Sequence, residues 1–422
     1  MIFEDFSSAH LTVLLVVFAA AFVMGAVANK TNFCTMGAVS DLVNMGDSGR
    51  MRAWMLAMAV ALLGVVIFEA GGFGSVDSTI PPYRGNNFAW LEYIVGGVLF
   101  GIGMTLGSGC GNKTLIRAGG GNIKSVFLFI VIAICAYFML NPFPGSDQTL
   151  YSLLFYPWTN PVSATLATQQ DLGSLASGIT GAEAATLRTV IGLIVAAVLF
   201  WFIFKSADFR SSFDNKLGGF TIGAAVLVAW VATSSMVSVE AYGEKYSWTE
   251  YADIESWSMN EDNPAARPRD VGVQSFTFIN PMGQTLRYGV QDFSPSYLTF
   301  GVVAVLGVVL GSLLWSLIAR SFRIEWFAGI GDFVTHLIGG ILMGVGGVLA
   351  MGCTVGQGIT GVSTLALGSV LALLSIIFGS ALTMKIQYYK MIHEDASFMQ
   401  ALTSSLVDFK LLPGKFRSLE NL

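Results

Sequence analysis

His10–Ala28 reads HLTVLLVVFAAAFVMGAVA, with no formal charge unless His10 is protonated. As a helix it would rise about 28 Å, close to the thickness of a bilayer's hydrocarbon core. Eight further stretches read the same way: Ala53–Phe68, Tyr93–Leu106, Ser125–Leu140, Val190–Phe204, Phe220–Val237, Tyr297–Ile318, Phe333–Ala350 and Ala366–Met384. Nine such runs exceed what a soluble core can bury. The composition agrees, with 54% hydrophobic and only 12% charged residues, about half the charged share of a soluble domain. These observations predict an all-α integral membrane protein with about nine transmembrane helices, forming one polytopic domain over 1–422. Tyr93–Leu106 and Ser125–Leu140 are short for full spans, so their ends should lean on irregular neighbours. The first run lacks a basic leader and a clear cleavage site, which reads as a retained helix and not a signal peptide.

Orientation follows from the basic residues. Of the 22 Lys and Arg, sixteen fall in one set of alternate loops and the tail; six fall in the other set (Arg84, Arg188, Lys245, Arg267, Arg269 and Arg287). The positive-inside rule then puts the N-terminus outside and the C-terminus in the cytoplasm. Two long polar insertions, at about Asn141–Thr189 and Ser238–Ser296, fall outside. The net charge of −5 and the absence of a long basic run exclude a nucleic-acid footprint.

Glycine, at 48 residues, clusters around cysteines. Gly101–Cys110 reads GIGMTLGSGC and Gly344–Cys353 reads GVGGVLAMGC, identical at five of ten positions. By the charge count the two spans run in opposite directions, which predicts an inverted internal repeat with a site at its interface. A third segment, Asn29–Asp41, reads NKTNFCTMGAVSD around Cys34. It is too polar for a lipid-facing helix and too poor in turn signals for a loop. All three segments are expected to be re-entrant turns followed by short half-helices, which membranes tolerate only where protein buries them or they line a cavity. Cys135 sits in a continuous apolar run and reads as a packing residue.

The cysteines have neither CxxC nor Cys/His ligand spacing, so no metal or zinc site is expected, and no cofactor motif or ATP-binding loop is present. Three lone thiols between two faces point to a path offering soft sulfur contacts, which suits a small sulfur-containing anion better than a hard oxyanion. Lys113 stands three residues past Cys110 and would attract an anion, or serve as an orientation charge. Asn32, Thr354 and Gln357 flank the cysteines and offer neutral polar groups. Asp332 and His336, four apart on one face, would satisfy each other at an interface or hold a proton. Glu69 and Glu325 read as solvated or capping span ends.

NKTNFCTMGAVSD at Asn29–Asp41, GSGCGNKTLIRAGGG at Gly107–Gly121 and GGILMGVGGVLAMGCTVGQGITG at Gly339–Gly361 together resemble the YeeE/YedE family of bacterial sulfur-compound transporters. The resemblance implies thiosulfate uptake across the inner membrane along an hourglass-shaped path. Its three cysteines map onto Cys34, Cys110 and Cys353, and the ion is passed by S–H···S contacts without a stable covalent intermediate. Some relatives are linked to selenium compounds. The two long insertions depart from the compact family pattern. Two other function classes use the same cysteines. One is a membrane enzyme transferring sulfur or electrons, marked by a persulfide or mixed disulfide during turnover. The other is a non-transporting membrane partner of a soluble cytoplasmic sulfurtransferase, which uptake by the purified protein alone would exclude.

Overall fold

The computed structural model describes residues 1–241, 243–258 and 268–419, with the side chains of 254–258 left aside. Arg267 and part of the second insertion therefore lie outside the described residues. Among the described residues, nine helical segments are long and apolar enough to cross a bilayer. The helices that matter here are α1 (Phe6–Lys30), α2 (Thr35–Ser40), α3 (Gly49–Ala70), α4 (Trp90–Leu106), α5 (Gly111–Gly119), α6 (Ile123–Leu140), α7 (Ala184–Phe204), α8 (Phe213–Ser234), α9 (Ile279–Val290), α10 (Phe300–Ile318), α11 (Ile330–Leu349) and α12 (Leu367–Ile392). Nine apolar stretches thus become nine spanning segments. α4 and α6, of 17 and 18 residues, are the short ones, as their sequences predict.

Membrane helices gain nothing from burying apolar surface against one another, so close backbone approach through small residues has to hold them. α4 crosses α11 antiparallel on this basis. Gly96 lies against Gly346 and Ala350, and Gly103 against Gly339, where a methyl group on Gly103 would stand 2.7 Å from the Gly339 carbonyl oxygen. On its other side α4 runs parallel to α12, with Gly97 facing Ser375 and Gly101 facing Ile376. α1 packs on α10, and α3 on α7 and α8.

The insertions are not peripheral throughout. Short strands pin them: Ile2–Phe3 pairs with Ser238–Val239 at the start of the second, and Asn87–Phe88 with Ala164–Thr165 in the middle of the first. Gln170 and Asp171 reach the start of α12, where the Leu367 N–H donates to the Gln170 carbonyl at 3.1 Å and the Leu172 N–H to that of Leu365 at 3.1 Å. The last part of the second insertion enters the bundle. Phe276, Phe278, Ile279 and Met282 are fully buried, and α9 packs against α6, α10 and α11. α9 is amphipathic: Ile279, Pro281, Met282 and Gly283 are buried.

A charged network closes the insertion end beside α12. Arg84, 1% exposed, forks onto Glu69 at 2.7 and 2.9 Å, reaches Asp77 at 2.9 Å and donates to the Thr364 carbonyl at 3.0 Å. Arg188 bridges Asp77 and Asp171, both at 2.9 Å. Glu69 is therefore clamped to a buried cation and not freely solvated. Glu325 accepts from Asn122 at 2.6 Å. Asp332 pairs with His336 at 3.0 Å and Lys124 at 2.8 Å, which fits the interfacial reading of that pair.

Candidate functional site

The three cysteine segments share one backbone device. Each preceding helix ends with a residue of positive φ, two positions before the cysteine: Asn32 (φ 51°), Ser108 (φ 58°) and Met351 (φ 57°). In each, the next N–H closes a six-residue ring to the helix: Phe33 to Ala28, Gly109 to Met104 and Gly352 to Gly347, at 3.0, 2.9 and 2.8 Å. This is the Schellman ending, in which a left-handed residue turns the chain off the axis while satisfying the last carbonyls. Asparagine tolerates that conformation; serine and methionine hold it at a cost in backbone strain.

The cysteine then starts the next helical piece. Cys34 is the N-cap of α2 and its sulfur accepts from the Gly37 N–H at 3.5 Å. Cys110 is the N-cap of α5. Cys353 precedes a helical turn that widens into a π-helix at Gly356–Gly361, and its sulfur accepts from the Gly356 N–H at 3.5 Å. Leu106 and Leu349, aligned in the sequence repeat, are both final helical residues. The aligned Ser108 and Met351 both carry the left-handed φ.

Five of the seven sequence-predicted residues come together: Cys34, Cys110, Thr354, Lys113 and Asn32. The Cys34 and Cys110 thiols are near enough to interact with each other, and the Thr354 hydroxyl is near the Cys110 thiol. Cys353 immediately precedes Thr354, and its own sulfur lies with the Gly356 N–H and Thr277. Lys113 donates to the Asn32 side-chain carbonyl, joining the first two segments beside the Cys34–Cys110 pair. Gln357 does something else: its amide donates to the Ala350 carbonyl at 2.6 Å, splinting the break before Cys353. Cys34, Cys110 and Cys353 are 8%, 2% and 0% exposed, so all three thiols are buried. Cys135 packs against Gly344, apart from them.

Sequence reading missed three neighbours. Thr277, from the second insertion, turns its hydroxyl toward the Cys353 thiol. Asp41 and Arg50 form a two-pronged ion pair beside α2, and Arg50 lies against Gly37. Among the described residues no group of three or more His, Cys, Asp or Glu is arranged to hold a metal ion.

Residues 30–382 match the family model described as "Sulphur transport". The chain belongs to the sulphur-transport family. It is similar to the thiosulfate transporter TsuA of Escherichia coli (strain K12), 24% identical over 340 residues that cover 80% of this chain and 84% of the relative. The thiosulfate transporter TsuA of Spirochaeta thermophila is likewise 24% identical, over 368 residues covering 85% of this chain and 94% of the relative. Both relatives are named transporters, and the nine apolar helices fit that role. This protein is a multi-pass membrane transporter of the sulphur-transport family.

Proposed function

We propose that the protein imports thiosulfate, or a closely related sulfur anion, along a path lined by Cys353, Cys110 and Cys34. Weak S–H···S contacts relay the ion, and Lys113, Asn32 and Thr354 complete the lining, with Gln357 bracing the break before Cys353. The observation that carries this reading is the repeated placement of a lone thiol at the start of a broken helix. Two of these thiols, Cys34 and Cys110, are close neighbours, and the third is one residue from a hydroxyl that lies near Cys110. A covalent relay would need a leaving group at each step, whereas polarisable thiols offer contacts weak enough to release the ion again. Both named relatives carry thiosulfate, which favours it over a selenium compound.

The same reading makes the three segments re-entrant turns and the α4–α5 and α11–Cys353 units an inverted repeat. Supporting it are the antiparallel crossing of α4 and α11 and their matched endings. It places the protein in a bacterial inner membrane as one polytopic domain, N-terminus outside and C-terminus cytoplasmic, with the insertions outside. A soluble cytoplasmic sulfurtransferase is the class of partner that would consume the delivered ion. Uptake of radiolabelled thiosulfate by proteoliposomes of the purified protein, with sulfate, sulfite and selenite as competitors, tests the function. Saturable uptake competed poorly by sulfate is expected; no uptake above protein-free vesicles would overturn it.

A further inference from the structure

A line of thiols meets the sulfur end of a sulfur oxyanion and leaves its oxygen end unaddressed. Oxygen atoms stripped of water need donors, and neutral donors suit a path because they bind without trapping the charge. Three side chains that pack on the turn after Cys353 carry buried donors of this kind. Trp54 Nε1, Tyr83 Oη and Thr277 Oγ1 have no hydrogen-bond partner of regular geometry, on residues 2%, 3% and 7% exposed. Each packs against a different glycine of one π-helical turn: Thr277 against Gly356, Trp54 against Gly358 and Tyr83 against Gly361. A side chain on any of the three glycines would collide with its partner. The glycines therefore hold these residues close to the segment that carries Cys353.

Thr354 Oγ1 and Gln357 Oε1, on the turn itself, likewise have no partner of regular geometry, whereas other groups around it are paired. Trp230 Nε1, nearby, donates to Ser363 at 3.2 Å, and Thr360 donates to the Phe276 carbonyl at 2.7 Å. Leaving one buried donor unpaired is costly, and native proteins seldom do so without a reason. The indole can only donate, and the two hydroxyls can donate as well, so their common complement is an acceptor. Burial pushes the Tyr83 phenol well above its ordinary range, which keeps it a proton donor at any physiological pH. Thr277 faces the Cys353 thiol, and Tyr83 is near enough to interact electrostatically with that group.

We propose that Trp54, Tyr83 and Thr277 form an oxyanion-coordinating donor set, which takes the oxygen end of the ion while its sulfur end meets Cys353. This rests on the sulfur-anion reading above and adds the selectivity element that thiols alone lack. The set asks for a tetrahedral oxyanion bearing a terminal sulfur, so halides and simple thiols lack one half of the recognition.

The test uses Tyr83→Phe, Thr277→Val and Trp54→Phe in the full chain, each removing a donor while keeping most of the volume. Uptake kinetics in proteoliposomes and thermal stability in detergent, with and without thiosulfate, are measured together. Each variant should raise KM for thiosulfate about tenfold, the loss of one hydrogen bond to a charged group. Its stability without thiosulfate should equal or exceed the parent's, because an unpaired buried group has gone, while stabilisation by thiosulfate should shrink. A merely structural role would lower the stability of the thiosulfate-free protein and leave KM alone. Parent-like KM and parent-like stabilisation by thiosulfate in the variants that fold would overturn the donor set and leave the transport reading standing. A parent protein that neither takes up thiosulfate nor is stabilised by it would overturn both. If one variant fails to fold, the other two decide.

Discussion

Replacing Arg84 by methionine removes a guanidinium and keeps an unbranched apolar stem. Four hydrogen bonds are lost: two to Glu69, one to Asp77 and one to the Thr364 carbonyl. Breaking a buried ion pair from one side costs about 3–5 kcal/mol, because the partner charge stays behind. The structure argues for less. The Glu69 side chain is 20% exposed and that of Asp77 43% exposed, and Asp77 keeps Arg188, so water and a second cation take up part of the charge. A loss of about 2–3 kcal/mol remains, roughly a 30- to 150-fold shift in the unfolding equilibrium. Reversible unfolding in detergent should show it, and Arg84→Met/Glu69→Gln should recover part, since the orphaned charge is then gone. Hydrogen exchange should localise the damage to 363–368, where the Thr364 carbonyl loses its donor. If the double variant is as unstable as the sum of the two singles, Arg84 and Glu69 are not energetically coupled and the clamp reasoning fails.

Cys34→Ser, Cys110→Ser and Cys353→Ser should each cut thiosulfate uptake roughly 5- to 150-fold, the loss of about 1–3 kcal/mol if the contact is felt in the limiting step. Added reductant should not change this, and Cys135→Ser should retain near-normal uptake; normal uptake by all three path variants would reduce those cysteines to packing. Acid should weaken the insertion end. Burial alone would raise the carboxyls of Asp77 and Asp171, but Arg84 and Arg188 outweigh it for Asp77, and Arg188 for Asp171, holding both below the ordinary carboxylate range. Their stabilisation is therefore complete above about pH 4 and is lost as pH falls through the depressed folded values. Unfolding measured across that window should steepen with acid, and Arg188→Met should flatten it. Cysteine labelling at engineered sites in 141–189 should occur from the outside only; labelling only from the cytoplasm would reverse the orientation and with it the direction assigned to the path.

The nine spans were legible because uncharged runs of membrane length have few other uses, and the three cysteine segments because glycine and polar residues interrupt such runs. α9 was not legible. Ile279–Val290 reads INPMGQTLRYGV, too short and too polar for a run-length criterion, although one face is buried. Thr277 was hidden with it, inside what reads as an insertion. Tyr83 and Arg84 lie in a polar connection between α3 and α4, where nothing local separates a solvated residue from one folded back into the bundle. Arg84 counts as one loop charge in sequence. Its burial depends on Glu69, Asp77 and the Thr364 carbonyl, partners that only the tertiary structure supplies. Gln357 shows the converse: its place in the sequence near Cys353 suggests a donor to the path, but that donor is spent on the Ala350 backbone.

The cysteines occupy positions that local physics would assign to other residues. An N-cap favours Ser, Thr, Asp or Asn, whose oxygen accepts strongly from the first turn of the helix; a thiol is a weak acceptor. At Cys34 and Cys353 the sulfur makes that contact at 3.5 Å, and at Cys110 the side chain makes no cap of regular geometry. Three helix starts thus forgo stronger caps, in segments that already hold Ser108 and Met351 at positive φ. Serine would cap at least as well and fit the same space, so fold stability gives no reason for sulfur at these sites. What sulfur offers in exchange is polarisability and a weak, easily released contact. Substitution by serine therefore separates the two explanations: a structural cysteine would lose stability, whereas a path cysteine would lose uptake in a protein at least as stable as its parent.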